Sequence, residues 1–216
     1  MMQSQRNTNI NGFDYSSFAS GLNQPDPHIC VFKLTTMKPE ISKEAHQIFS
    51  DRHARGIFND TMEARPDSKR LQRRVIAWRY PLCEDLLSQL SSALMRAVPT
   101  HHPTAFYLIG SKSGCPEQHL HTDVSKTYIQ EISDSEKPFP FQVLVFVDTA
   151  GGALTVKLAS GLQTVNFEFG DIVVFHGGMV HAGAAYATEN VRLHFYMDVK
   201  GISREENTIE GVVLNE

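Results

Sequence analysis

After Pro103 the sequence becomes a succession of short segments with the composition of β-strands. These segments are rich in β-branched or aromatic residues, or alternate between apolar and polar residues, and breaks containing Gly, Asp, Ser and Pro separate them. They cover 104–109, 141–148, 152–158, 162–169, 171–175 and 190–199. Many short strands at regular spacing are typical of a sandwich or barrel. The pattern therefore predicts a mainly β fold, a jelly roll with flanking helices.

The first part of the chain supplies helices and strands that we expect to support this barrel. Residues 39–50 place apolar side chains at a spacing of three to four, which is typical of an amphipathic helix. Residues 83–98 repeat this helical pattern. Residues 28–34 and 74–80 are predicted strands, and Trp78 in the second strand is expected to lie in the core.

We expect one folded domain preceded by an arm. Residues 1–26 are rich in Asn, Gln and Ser without a sustained period, so they are predicted to form a flexible N-terminal arm. Residues 27–216 are predicted to form a single domain. Its parts are helical and strand support over 27–103, the jelly roll over 104–199 and a C-terminal tail over 200–216.

The composition excludes several classes of protein. A net charge of -4 argues against a general nucleic-acid coat protein. Three cysteines are too few and too scattered for a disulfide scaffold or a zinc finger, and they fit a reducing compartment. The sequence shows neither an apolar run long enough for a membrane span nor the apolar stretch of a signal peptide. We therefore expect a cytoplasmic or nuclear protein without a membrane partner.

One segment is basic although the chain is acidic. Residues 51–80 contain eight Lys or Arg, all within the basic segment 52–79, and four acidic residues, which gives this stretch a net charge of +4. A solvated basic face is the ordinary explanation. The functional alternative is docking of an anionic substrate such as a CoA ester, a phosphorylated metabolite or nucleic acid.

Two closely spaced residues indicate a metal site. His121 and Asp123 are two positions apart, so in a strand both side chains point to one face and can reach one metal ion. His181, which follows a Gly-Asp turn and an apolar strand, is the best candidate for a third ligand. Two imidazoles and one carboxylate leave coordination positions open, as in sites where ferrous iron activates O2. Catalytic zinc also accepts such ligands, usually with one water at the fourth vertex.

An arginine follows the third candidate ligand. Arg192 lies eleven residues after His181 on an alternating strand, where it shares one face with His194 and Tyr196. A guanidinium inside a barrel is very costly without an anion. A dicarboxylate that chelates the metal at one end and meets Arg192 at the other would satisfy it.

The ordered set of His121-x-Asp123, then His181, then Arg192 resembles the Fe(II)/2-oxoglutarate-dependent dioxygenases. The stretch 113–123 looks most like the phytanoyl-CoA-hydroxylase-like branch, in which a Gly-rich turn and a Gln precede the first metal-binding histidine. The resemblance covers roughly residues 104–199.

The resemblance implies a fold, a metal and a reaction. The fold is a double-stranded β-helix, a cupin-like jelly roll. Fe(II) would be held by His121, Asp123 and His181. The enzyme would use O2 and couple decarboxylation of 2-oxoglutarate to hydroxylation of a C–H bond, with a small molecule as the expected substrate.

The resemblance also implies how the co-substrate is held. 2-Oxoglutarate would chelate the iron through its keto and C1 carboxylate oxygens, Arg192 would bind the far carboxylate, and Gln118 and Tyr107 are further candidate contacts. Some relatives have Ser or Thr two residues after the arginine, where this chain has His194. Nucleic-acid demethylases have a second arginine six residues after the first, and Asp198 at that position counts against this branch.

Other interpretations of the same residues remain open. A metal-dependent cupin-type enzyme without 2-oxoglutarate, or a binding module without activity, would also keep the barrel. A 2-oxoglutarate oxygenase could act on protein side chains or nucleic acid through the basic segment.

Residues 124–140 are predicted to form a polar lid loop. No ligand role is assigned to His119, His176 or Cys115.

Overall fold

The computed structural model describes most of the chain from residue 68 onward and several stretches before it. The described residues are 7–8, 29–34, 37–50, 55–56, 59–60, 65–66, 68–76, 78–134, 138–202 and 210–212. Their helices are α1 (Pro39–Ser50), α2 (Pro81–Ala97) and α3 (Lys126–Asp134). Their strands are β1 (Asn7–Thr8), β2 (Ile29–Lys33), β3 (Arg55–Gly56), β4 (Asn59–Asp60), β5 (Arg65–Pro66), β6 (Arg70–Arg74), β7 (His101–Pro103), β8 (Tyr107–Ser111), β9 (His121–Thr122), β10 (Phe141–Phe146), β11 (Gly152–Leu158), β12 (Gly161–Phe167), β13 (Asp171–His176), β14 (His181–Gly183), β15 (Asn190–Val199) and β16 (Glu210–Gly211).

Most of these strands form two sheets that pack face to face. The larger sheet has the order β1-β2-β13-β10-β15-β8-β6-β3, with β7 also paired to β15, and the smaller has the order β12-β11-β14-β9-β16. One apolar cluster joins them, with Leu144, Phe146 and Phe175 from the larger sheet and Leu154 and Val156 from the smaller. The mainly β core predicted from the sequence is confirmed.

Helices α1 and α2 cover the outer face of the larger sheet because each carries one apolar stripe. Ile41, Ala45 and Ile48 are buried on α1, and Leu87 and Leu94 are buried on α2. These side chains belong to one cluster with the outward-facing residues of β10 and β15. Both predictions of amphipathic helices are confirmed.

Strand β15 contributes side chains both to the apolar core and to the polar space between the two sheets. Its odd-numbered side chains, which include Leu193 and Phe195, pack in the cluster with α1 and α2. Its even-numbered side chains, which include Arg192 and His194, point into the space between the two sheets, because successive residues of a strand face opposite sides.

The strand predicted at 74–80 lies earlier, in β6, and the expectation for Trp78 is wrong. Trp78 is 83% exposed in the turn that leads to α2, and Ile76 is also exposed. The sequence of β6 is polar because Arg70 and Gln72, both buried, face the interior between the sheets. A strand that lines a polar site therefore lacks the apolar composition by which strands are recognised.

The predicted lid loop contains helix α3. Val124, Tyr128 and Ile132 are buried at a spacing of four and form a small core of their own. The expectation of a loop over 124–140 is therefore wrong for this part of the segment, because a short apolar stripe is sufficient for a nine-residue helix that packs on the barrel.

The proposed division of the chain stays a prediction. In the N-terminal arm only Asn7–Thr8 is described, and it pairs in parallel with β2, while the rest of the arm lies outside the described residues. The side chains of the basic segment are described only from residue 68 onward. Strand β2, which belongs to the predicted supporting part of the chain, joins the larger sheet beside β13.

None of the helices in the described stretches is both long and apolar enough to cross a membrane.

Replacing Gly110 with alanine is expected to destabilise the fold by about 1–3 kcal/mol. Gly110 lies on β8 beneath α1, and a Cβ atom there would overlap the ring of Phe49. Equilibrium unfolding in urea would measure the change. The variant Gly110→Ala/Phe49→Leu is expected to recover part of the loss, and an unchanged midpoint in Gly110→Ala would contradict this close helix-to-sheet contact.

Candidate active site

Three side chains suited to metal binding converge between the sheets. His121 lies in β9, Asp123 follows that strand directly, and His181 begins β14, where it pairs opposite His121. One ligand atom of each residue lies within 4.8 Å of the others. The Nε2 atoms of His121 and His181 are 3.5 Å and 3.9 Å from Asp123 Oδ1. The structure therefore brings together the three predicted ligands, and all three are buried.

Backbone contacts fix both imidazoles in the same orientation. His121 Nδ1 lies 2.7 Å from the His119 carbonyl oxygen, and His181 Nδ1 lies 2.9 Å from that of Met179. A carbonyl oxygen can only accept, so each Nδ1 carries the hydrogen and donates it. In the neutral form of such a ring, Nε2 keeps the lone pair, and in both residues this atom faces Asp123, which is the arrangement of metal-binding histidines.

Asp123 is held as an ionised carboxylate. The Tyr196 hydroxyl donates to Asp123 Oδ2 over 2.7 Å, while the buried Oδ1 has no hydrogen-bond donor among the described residues. Burial alone would raise the pKa of this carboxyl, but the neighbouring histidines, His181 first, and the Tyr196 hydroxyl hold its pKa below the ordinary value. Burial also lowers the pKa of His181 to about 4. At neutral pH the triad is therefore one carboxylate with an uncharged His181.

Arg192 points into the same interior. Its side chain is buried, and its Nε and Nη1 atoms meet no hydrogen-bond acceptor among the described residues. Its guanidinium carbon lies 6.0 Å from the centre of the Tyr186 ring. Burial lowers the pKa of Arg192, which reflects the cost of a charge in this position. An anion bound here would offset that cost.

Gln118 is tied to the last residue of β14. The Gly183 backbone N–H donates to Gln118 Oε1 over 3.0 Å, and the Gln118 backbone N–H donates to the Gly183 carbonyl over 2.9 Å. A Cβ atom at Gly183 would overlap Gln118 Oε1 and lie 3.2 Å from Arg192 Nη2. Glycine at this position therefore lets Gln118 and Arg192 lie side by side.

One cavity connects the triad to Arg192 and Gln118. Its wall also contains Gln72, Gln142, His194, Tyr196, Ile109, Leu144 and Leu154. The register of β15 places Arg192 four residues from Tyr196, which contacts Asp123, so polar groups lie at both ends, and apolar and polar side chains line the wall between them. Such a cavity suits an elongated ligand that carries polar groups at its two ends.

Comparisons with known proteins identify the fold. No known family's sequence profile matches the chain, and no curated protein matches its sequence. Among solved structures, it resembles a Pseudomonas putida prolyl-4-hydroxylase with a TM-score of 0.63 at 12% identity, over 86% of this chain and 99% of that one. A Trichoplax adhaerens prolyl hydroxylase gives a TM-score of 0.66 at 10% identity, over 86% and 89%. The fold is that of these hydroxylases.

A third similar structure contains a metal and a co-substrate. HygX from Streptomyces hygroscopicus, solved with nickel and 2-oxoglutarate, gives a TM-score of 0.59 at 8% identity, over 89% of each chain. The double-stranded β-helix fold implied by the resemblance is therefore confirmed. The phytanoyl-CoA-hydroxylase-like branch stays a prediction.

Tyr107, His119 and His176 are the other residues considered from the sequence, and none of them lines the described cavity. Tyr107 stands opposite His194 across the pairing of β8 and β15, but it is not part of the described cavity wall. His119 is exposed and contributes its carbonyl oxygen to His121. His176 ends β13, where its ring lies 4.5 Å from that of Phe139, centre to centre, and burial lowers its pKa to about 4.

Several further residues contribute to the site without a role that the sequence indicates. Tyr196 and His194 share the predicted inward face with Arg192, and that alternation was the available signal. Arg70, fully buried, donates from Nη2 to the carbonyl oxygens of Pro116, Gly183 and Ala184, and so ties β6 to the smaller sheet. Nothing in the polar sequence of β6 indicates this contact.

Replacing Tyr196 with phenylalanine is expected to weaken metal binding about tenfold, in line with the loss of a hydrogen bond behind a metal ligand. The phenyl ring keeps the packing, but Asp123 Oδ2 loses its donor and its orientation. Titration of the metal-free protein with Mn(II) would measure the change. Tyr80→Phe, outside the cavity, is the matched control, and equal affinities in all three proteins would contradict the orienting role.

Proposed function

We propose that this protein is a non-haem Fe(II)- and 2-oxoglutarate-dependent oxygenase that hydroxylates a C–H bond of a small-molecule substrate. The observation that supports this most strongly is the set of side chains that line one cavity. It combines two imidazoles and a carboxylate with the buried guanidinium of Arg192, two of whose N–H groups meet no acceptor among the described residues. A purely structural metal site has no need of such a guanidinium.

The donor set fits Fe(II). His121 and His181 offer their Nε2 atoms, and Asp123 offers a carboxylate oxygen that is buried without a hydrogen-bond donor among the described residues, which a cation would satisfy. Two histidines and one carboxylate are the usual protein ligands of non-haem Fe(II) oxygenases, where the remaining positions stay open.

The cavity also fits 2-oxoglutarate. A 2-oxo acid can chelate a metal at one end, and the second carboxylate matches the free donors of Arg192. We place Gln118 at this second end because it lines the cavity beside Arg192. Tyr107 remains a proposed contact, on the strand next to β15.

The chain's own residues prepare the site for this chemistry. Iron and 2-oxoglutarate, when bound, supply the activation of O2 that is coupled to decarboxylation of the 2-oxo acid. Tyr196 holds the Asp123 carboxylate in place. Ile109, Leu144 and Leu154 supply the apolar part of the cavity wall, which limits the access of water to the reacting centre.

The nature of the substrate is part of the proposal. A neighbouring prolyl hydroxylase was solved with a peptide, and HygX with the small molecule hygromycin B. We favour a small molecule because the cavity is buried between the sheets. A protein side chain or nucleic acid, docked on the basic segment, is the alternative.

We also propose a cytoplasmic or nuclear location, which the three free cysteines support.

Anaerobic titration of the metal-free protein with Fe(II) and then with 2-oxoglutarate tests this function. We expect a weak visible charge-transfer band when the 2-oxo acid chelates the bound iron. Binding of Fe(II) without a band would favour a cupin-type enzyme that does not use 2-oxoglutarate, and failure to bind any metal would favour a binding module. Succinate release against metabolite, peptide and nucleic-acid pools would then identify the substrate class.

A further inference from the structure

Gln142 is a buried amide with an unused donor. Its side chain is 1% exposed, and it lines the cavity between the sheets. Its Nε2 atom is buried and has no hydrogen-bond acceptor among the described residues. Buried amide donors without acceptors are rare in folded proteins, because each has left water without compensation. Such a group inside a binding cavity indicates a missing acceptor that a ligand supplies.

The sheet register places Gln142 at the metal end of the cavity. On β10 it pairs opposite Tyr196 of β15 and opposite Phe175 of β13. Tyr196 donates to Asp123, and the Phe175 ring lies 5.1 Å from that of His181, centre to centre. Both of its neighbours therefore touch the metal triad.

Arg192 is at the other end of the same cavity. It pairs with Phe146, four residues further along β10 than Gln142, which corresponds to about 13 Å along the strand. A single carboxylate therefore cannot engage both Gln142 and Arg192. The two side chains therefore have to bind different ends of an elongated ligand.

We propose that the Gln142 amide binds the carboxylate at the metal-chelating end of 2-oxoglutarate, an inference that rests on the proposed function. When a 2-oxo acid chelates a metal through its keto group and one carboxylate oxygen, the second carboxylate oxygen remains an acceptor beside the metal. The C–H bond to be hydroxylated offers no acceptor. Gln142 is thus a co-substrate-binding residue, and together with Arg192 it selects 2-oxo acids that carry a second carboxylate.

Calorimetric titration of Mn(II)-loaded protein with 2-oxoglutarate tests this assignment without turnover. We expect Gln142→Met, which keeps the shape and removes the donor, to weaken binding about 10- to 100-fold, the range for one lost hydrogen bond to a charged group. Gln142→Glu should weaken it further, because two carboxylates would then face each other. Gln163→Met, on β12 outside the cavity wall, is the matched control and should bind as the wild type does.

Two further readings separate ligand binding from a structural role. 2-Oxobutyrate lacks the distal carboxylate, so its affinity should fall in Gln142→Met but stay unchanged in Arg192→Ala. The ligand-free Gln142→Met protein should unfold at or above the wild-type midpoint, because an unsatisfied buried donor has been removed. A structural role would instead lower the midpoint.

The outcomes distinguish this inference from the proposed function. Wild-type affinity for 2-oxoglutarate in Gln142→Met would overturn the assignment and leave the proposed function standing. A loss for 2-oxoglutarate with no loss for 2-oxobutyrate would overturn it as well, because the contact would then lie at the distal end. If the wild-type protein loaded with Mn(II) does not bind 2-oxoglutarate, both the assignment and the proposed function fail.

Discussion

Replacing Asp123 with alanine is expected to abolish metal binding and all turnover together. Its Oδ1 atom is the only carboxylate oxygen within 4 Å of both imidazole Nε2 atoms in the described part of the chain. Without it, two imidazoles remain, which hold a divalent cation weakly because they bring no negative charge. Alanine also leaves the Tyr196 hydroxyl without its acceptor. His121→Ala and His181→Ala are expected to have the same effect.

Metal content after loading with Fe(II), together with single-turnover oxidation of 2-oxoglutarate, would measure this effect. Asp123→Asn is a second variant that keeps the shape and removes the charge, and it should also lose the metal. His119→Ala is the matched control, because its side chain is exposed and the carbonyl oxygen that contacts His121 is kept in the variant. Full activity in any of the three alanine variants would refute the proposed metal site.

Replacing Arg192 with alanine is expected to raise the concentration of 2-oxoglutarate required for half-maximal turnover at least tenfold. A charge-assisted contact in a buried site contributes about 2 kcal/mol or more, and each 1.4 kcal/mol corresponds to a factor of ten. Arg192 lines the cavity and two of its nitrogen atoms meet no acceptor among the described residues, so the loss falls on the ligand. The affinity for the metal should change little, because Arg192 is not one of its ligands.

Steady-state turnover at varied 2-oxoglutarate and saturating Fe(II) would provide this measurement. Arg192→Lys keeps the charge but not the planar pair of donors, so an intermediate requirement is expected. Arg96→Ala removes an exposed arginine from the last turn of α2 and controls for the change in net charge. An unchanged requirement in Arg192→Ala would overturn Arg192 as the residue that binds the far carboxylate, and turnover that needs no 2-oxoglutarate at all would favour the cupin-type alternative.

The elements that pack on a core were predictable from their periodicity. Helix α1 spans Pro39–Ser50, and β11 and β15 span Gly152–Leu158 and Asn190–Val199, at the positions that the pattern predicts. In each, apolar side chains recur with the period of the element because they pack on one neighbouring layer. The misplacement of β6 follows from the same rule, since its inward side chains face a polar cavity and break the apolar alternation.

The identity of the main candidate site residues was predictable from the sequence, but the contacts that surround them were not. His121, Asp123, His181 and Arg192 could be selected because their types and order match a known chemistry. The contact between Tyr196 and Asp123 joins residues far apart in the chain, and no local pattern reports it. That Gln142 Nε2 meets no acceptor in the described part of the chain is likewise visible only in the tertiary structure.

The sequence by itself therefore determined the alternation of strands, the stripes of the two long helices and the identity of the residues suited to binding iron. Each depends on residues close in the chain or on the chemistry of single side chains. Only the tertiary structure decided which buried polar groups are satisfied. A hydrogen bond forms over about 3 Å, and that distance is set by how the two sheets pack and not by the spacing of residues along the chain.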